Sequence, residues 1–180
     1  MLYFISKLIK INKKLIKTSH IIPEFLYQEL YNEKHQMVKI NAIEKARGIE
    51  KVSNIPKGEY EANLLCKECD GNRIGPFESY VGKILSNAEM PEEQKLECEK
   101  IAHGEGIEFL RINNIDYKLL KLFLLSILWR ASISKRSTFN EVSLGSYEEK
   151  IRKNLFENDP SDDNNIPRVF NRLKGCGKFV

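Results

Sequence analysis

Leu64-Leu65-Cys66-Lys67-Glu68-Cys69-Asp70 is the stretch whose reading decides the fold. A C-x-x-C turn brings two thiolates within reach of one metal ion, with backbone N–H groups directed at the sulfurs. A closed structural zinc site takes four such ligands, so this turn is half a site. Three readings of the pair stand: half a zinc site, intact or vestigial; two buried cysteines; or a redox pair. Redox chemistry calls for a strand before the turn, a helix directly after it and a reactive first thiol. Here Asp70-Gly71-Asn72-Arg73 follows Cys69 and the helix is expected only from Pro76, which argues against that reading. Cys98 and His103 complete the zinc set poorly, because residues five apart on one helix diverge by about 140°.

Working outward, Ser19-His20-Ile21-Ile22-Pro23 lies upstream. His20 is the best candidate base, since imidazole has the side-chain pKa nearest neutrality and can take a proton from water. The competing reading is a histidine packed beside Ile21 and Ile22. His35 reads as surface, and His103 as a cation at a helix C-terminus. Downstream, Pro76-Phe77-Glu78-Ser79-Tyr80 opens a helix. The helix dipole alone explains an acid there; as function, Glu78 would hold a divalent cation together with Asp70. Trp129-Arg130 reads as core and cap.

Composition bounds the classes. The chain has 180 residues, 42% hydrophobic and 30% charged, with net charge +4 and pI near 8.8. That fits a globular chain of one domain or one and a half, and a mildly basic one, compatible with a DNA or RNA partner. Lys7, Lys10, Lys13, Lys14 and Lys17 all precede the first acid, Glu24. Such an arm can sit on phosphates or form the solvated face of a hairpin. Leu122 to Trp129 is too short to span a bilayer, so no membrane partner is expected. Lysines interrupt the apolar start, which argues against a signal peptide. Four cysteines, only two of them closely spaced, argue against a secreted disulfide scaffold. A reducing cytoplasm is the expected compartment.

The first 18 residues lean toward strands. A short helix is expected after Pro23, a strand over 37–40, and a turn at Pro56-Lys57-Gly58. The pattern then predicts a helix from Pro76, a charged helix over 91–103 and a strand over 107–112. The strongest helix runs from Tyr117 to about Ser134, capped by Asp116 and apolar around most of its circumference. Another starts at Ser146, with Glu149 completing a capping box. An acidic loop covers 158–167.

Together these segments resemble a group of bacterial and prophage proteins related to HNH-type treble clefs. The shared layout is an N-terminal C-x-x-C, then S-H-I-I-P, L-C-x-x-C-(D/E), a Y-E-x-Y-like helix, S-I-L-W-R and V-S-L-G. The counterparts here are Ser19 to Pro23, Leu65 to Asp70, Phe77 to Tyr80, Ser126 to Arg130 and Val142 to Gly145. The resemblance implies an α+β fold. A degenerate ββα treble-clef region over 1–87 would pack with a helical region over 88–180, holding the long buried helix near 117–134, as one compact unit. It implies a metal-dependent phosphodiester hydrolase acting on DNA or RNA, or a non-catalytic module binding nucleic acid or protein. His20 would be the base and Asp70 and Glu78 the ligands of Mg²⁺ or Mn²⁺. Cys66 and Cys69 would hold zinc, and Lys10, Lys13, Lys14 and Lys17 would hold the nucleic-acid backbone. Three departures stand out. Ser19 replaces the Asp of the family's Asp-His pair. Asp70 stands where a His is common. Ser6 and Ile9 occupy the place of the first C-x-x-C, which leaves zinc with two cysteines. Asn63 is near the family's middle Asn but off its usual offset.

Overall fold

A computed structural model describes residues 14–40, 45–49, 52–86, 91–92, 95–103 and 107–161. In chain order these form β1 (Ser19–His20), a 3₁₀ segment (Glu24–Leu30), β2 (Met37–Ile40), β3 (Val52–Ile55) and β4 (Tyr60–Glu61). A π-helical segment (Cys69–Ile74) then runs into α1 (Gly75–Leu85). β5 (Glu97–His103), β6 (Ile107–Asn113), α2 (Tyr117–Ile133), a 3₁₀ turn (Ser137–Phe139) and α3 (Tyr147–Glu157) complete the order. The fold is α+β, with three two-stranded antiparallel sheets: β1 with β4, β2 with β3, β5 with β6.

α2 organises the core. Asp116 caps it as expected, its Oδ1 accepting the Leu119 N–H at 3.0 Å. Leu122, Phe123, Leu125 and Trp129 are buried against Phe77 and Val81 of α1 and Ile151 and Leu155 of α3. Leu65 and Ile74 join the same cluster, so the C-x-x-C segment is anchored to this core. Leu124, on the remaining face, is exposed.

The smaller sheets position what flanks the core. Ser19 pairs with Glu61 and His20 with Tyr60. Before them, Leu15 bridges Cys66, and the Ile16 N–H donates to the Leu65 carbonyl at 2.9 Å. Gly58 cannot carry a side chain without rearrangement: a Cβ there would lie 2.1 Å from the Tyr27 ring. Next to it, Glu59 joins Lys39 and Arg136, both at 2.8 Å. Burial alone would raise the Glu59 pKa; the hydrogen bonds and charges of Lys39 and Arg136 overcome this and hold it below the ordinary value.

Several expectations need correction. The charged helix over 91–103 is not formed where described: 97–103 is β5, paired in register with β6 from Glu97↔Asn113 to His103↔Ile107. Glu, Lys and Ala favour helix locally, but cross-strand pairs such as Ile101↔Phe109, and the Arg111–Glu99 ion pair at 3.2 Å, outweigh propensity. The capping box at Ser146 is also absent. Ser146 has helical backbone angles (φ −66, ψ −15) and makes no side-chain cap bond, whereas a cap needs an extended residue; Glu149 pairs with Arg152 instead. Finally, the helix after the C-x-x-C is not delayed, since helical backbone begins at Lys67. Among the described residues, no helix is long and apolar enough to cross a membrane. Lys10, Lys13, Ser6, Ile9, Cys176 and most of the 158–167 loop lie outside the described residues.

Because Leu122 is wholly buried between α1 and α3, Leu122→Ala is expected to lower unfolding free energy by about 2–5 kcal/mol. Urea denaturation followed by circular dichroism measures this.

Candidate functional site

Arg130 gathers the sequence-predicted residues. It is 1% exposed. Its Nη1 donates to the His20 carbonyl at 2.7 Å and its Nε to the Ser126 carbonyl at 3.2 Å. Its Nη2 lies 3.3 Å from Ser126 Oγ and 2.8 Å from Glu78 Oε1. Far from capping α2, Arg130 is a buried tether joining β1, α1 and α2. The sequence carried a signal that it was special. An arginine in so apolar a helix must find an acid or carbonyls, because an unpaired buried charge is too costly.

Glu78, on the first turn of α1, is that acid. Burial raises its pKa, opposed first by the Arg130 charge close beside it; the Asp70 charge raises it further, and the His20 charge lowers it. All three predicted catalytic residues therefore share one electrostatic neighbourhood. The 2.8 Å contact is an ion pair rather than a well-aligned hydrogen bond, which leaves Glu78 Oε1 buried without a directional partner.

His20 is half-exposed, neither lost among aliphatics nor free in solvent. Its Nε2 lies 3.3 Å from Glu24 Oε2, with side-chain exposures of 32% and 34%. This contact too is electrostatic in character, Glu24 Oε2 having no aligned hydrogen bond. The other carboxylate oxygen accepts from the Tyr31 hydroxyl, which fixes Glu24 in place. Tyr60 meets the imidazole edge-on, with ring centroids 6.3 Å apart. The imidazole thus turns to Glu24, a residue the sequence reading did not single out, rather than to Asp70 or Glu78. Spacing was the available signal: Glu24 stands four residues after His20, across Pro23. His35 is exposed, as expected, and stacks on Tyr31.

Asp70 sits in the π-helical segment, where its N–H donates to the Cys66 carbonyl at 3.0 Å. Its Oδ1 accepts from Ser19 Oγ at 2.9 Å. Ser19 is wholly buried, and its hydroxyl ties β1 to the helical segment that follows the C-x-x-C. Asn63 lies between β4 and the C-x-x-C: its N–H donates to the Ile16 carbonyl, and it adopts a left-handed backbone.

Cys66 and Cys69 hold their sulfurs 3.1 Å apart, and the Cys69 N–H donates to Cys66 Sγ at 3.4 Å. Cys98 is exposed on β5 and pairs across to Ile112, so the helical arrangement weighed for it with His103 does not arise. Among the described residues, no three His, Cys, Asp or Glu side chains cluster to hold a metal. Two sulfurs are half of a tetrahedral zinc set. Asp70 and Glu78 suit Mg²⁺ or Mn²⁺ better, since such ions bind through one or two carboxylates plus substrate phosphates. A groove of about 530 Å³ runs beside the pair, lined by Lys14, Cys66, Lys67, Glu68, Gly71 and Asn72. Lys14 and Lys17 are exposed. In comparisons with known protein families, curated proteins and solved structures, the chain matches none.

Two outcomes are expected from this geometry. Arg130→Met strands Glu78 and two carbonyls, and should cost about 3 kcal/mol or more in urea denaturation. Glu78 gives stability a sign against pH. An acid whose folded pKa exceeds its unfolded value takes up a proton on folding. Its contribution is full below the unfolded value and is lost as pH rises through the folded one. Denaturation midpoints of the wild type should therefore fall relative to Glu78→Gln as pH rises above about 4.5, the ordinary glutamate value.

Proposed function

We propose that this chain is an HNH-like, metal-dependent nucleic-acid phosphodiester hydrolase. The observation that carries the reading is His20. It is half-exposed, its Nε2 faces a carboxylate fixed by Tyr31, and its backbone is pinned by Arg130. A half-exposed imidazole held beside a carboxylate is what proton abstraction from water needs. β1 pairs with β4, and helix follows β4 in the chain, which supports a ββα element with β2 and β3 inserted between its strands; Lys14 and Lys17 supply positive charge for a DNA or RNA backbone.

In this reading His20 takes the proton from the attacking water, and Glu24 stabilises the imidazolium that results. Asp70 and Glu78 are the residues that would hold Mg²⁺ or Mn²⁺. Such an ion supplies charge stabilisation for the phosphoryl and leaving oxygens. Arg130 holds Glu78 in place and Ser19 holds Asp70.

The same two contacts favour a second reading, a non-catalytic module binding nucleic acid or a protein partner. Each candidate cation ligand already has a partner inside the protein, and Arg130 competes with a cation for Glu78.

Incubation with supercoiled plasmid and Mg²⁺ or Mn²⁺ separates the two. Nicking by the wild type that falls by about 10²–10⁴ in His20→Ala supports hydrolysis. Absence of nicking, with plasmid retarded in gel shift, supports the binding module.

A further inference from the structure

The C-x-x-C pair supplies half of the closed zinc site that its resemblance implies, and its geometry suits another chemistry. The Cys66 and Cys69 sulfurs lie 3.1 Å apart, within about 1 Å of the disulfide bond length of ~2.05 Å. The Cys69 N–H turns Cys66 Sγ toward its neighbour. Turn and bend residues at 62–65 lead into the pair, the isolated Leu15–Cys66 bridge fixes its start, and helix follows directly from Lys67. The objection raised from sequence, a delayed helix, is removed by the π-helical segment that fills 69–74.

We propose that Cys66 and Cys69 form a redox site whose dithiol is oxidised to a disulfide by exchange with a low-molecular-weight disulfide and reduced again by the reverse exchange with low-molecular-weight thiols. Cys66 is 2% exposed and Cys69 half-buried, which assigns the first step to Cys69. Its thiolate, after losing a proton to water, attacks one sulfur of the external disulfide. The external S–S bond breaks, a mixed disulfide forms on Cys69, and one thiolate leaves and is protonated. Cys66, losing its own proton, then attacks the Cys69 sulfur of the mixed disulfide. The internal bond forms and the second external thiolate leaves and takes up a proton. Two protein thiols are oxidised and one disulfide is reduced to two thiols. The adjoining groove reaches the pair at Cys66, the resolving thiol, and is lined there by Lys14, Lys67 and Glu68, with room for a small disulfide. This site is independent of phosphodiester hydrolysis, and its test does not read that activity.

The experiment treats the full, folded chain with oxidised glutathione and follows intact mass, then peptide mapping. The expected result is loss of two hydrogens and a Cys66–Cys69 linkage, with Cys98 and Cys176 unlinked. Cys66→Ser should instead retain glutathione on Cys69, while Cys69→Ser should be modified at Cys66 at least about tenfold more slowly, being without the accessible thiol. Circular dichroism confirms that both variants are folded. A linkage through Cys98 or Cys176, or no linkage in the folded wild type, overturns the proposal. So does one zinc ion held per chain that protects both cysteines from glutathione.

Discussion

One buried guanidinium holds the candidate site together. Arg130 enters from the core helix and meets the His20 carbonyl, the Ser126 carbonyl and hydroxyl, and the Glu78 carboxylate. Its desolvation is costly, and only this full set of partners offsets it. β1 can therefore sit in one place only, with its carbonyl over α2 and its imidazole turned outward. The raised pKa of Glu78 follows from the same burial. Stability and site geometry share one residue, and they cannot vary independently.

The C-x-x-C segment is secured differently. Leu65 and Ile74 lie in the apolar core on either side of it, and Leu15 and Ile16 pair with its start. Ser19 and Cys66 both hold Asp70, one through its side chain and the other through its backbone. Apolar burial and backbone pairing anchor the segment on both sides.

What the sequence made legible is what depends on neighbours in the chain. α2 announced itself through its apolar residues and the Asp116 cap. The strands β2 and β6 followed from composition, and motif spacing singled out His20, Asp70 and Glu78, the first two of which carry charges that the structure brings within reach of the third. What depends on distant partners was hidden. Glu97 to His103 has the composition of a helix and becomes a strand because β6 pairs with it. Ser146 has the residue type of a cap but not the backbone. The roles of Glu24 and Arg130 rest on contacts across elements, and in Arg130's case across 110 residues of chain. Neither can be read from a local window.

The π-helical turn over 69–74 has a consequence of its own. A π turn accommodates a residue more than the α-helical ladder would take, and often marks a functional site. It uncouples the angular setting of the sulfur pair and Asp70 from that of Phe77 and Val81, which face the core. Substitutions that re-aim the upper turn can therefore accumulate without repacking α1, and shortening this turn by one residue would swing the knuckle about a third of the way around the helix axis. In evolutionary terms the turn is a swivel: it lets the chemistry of the knuckle drift while the scaffold below stays fixed.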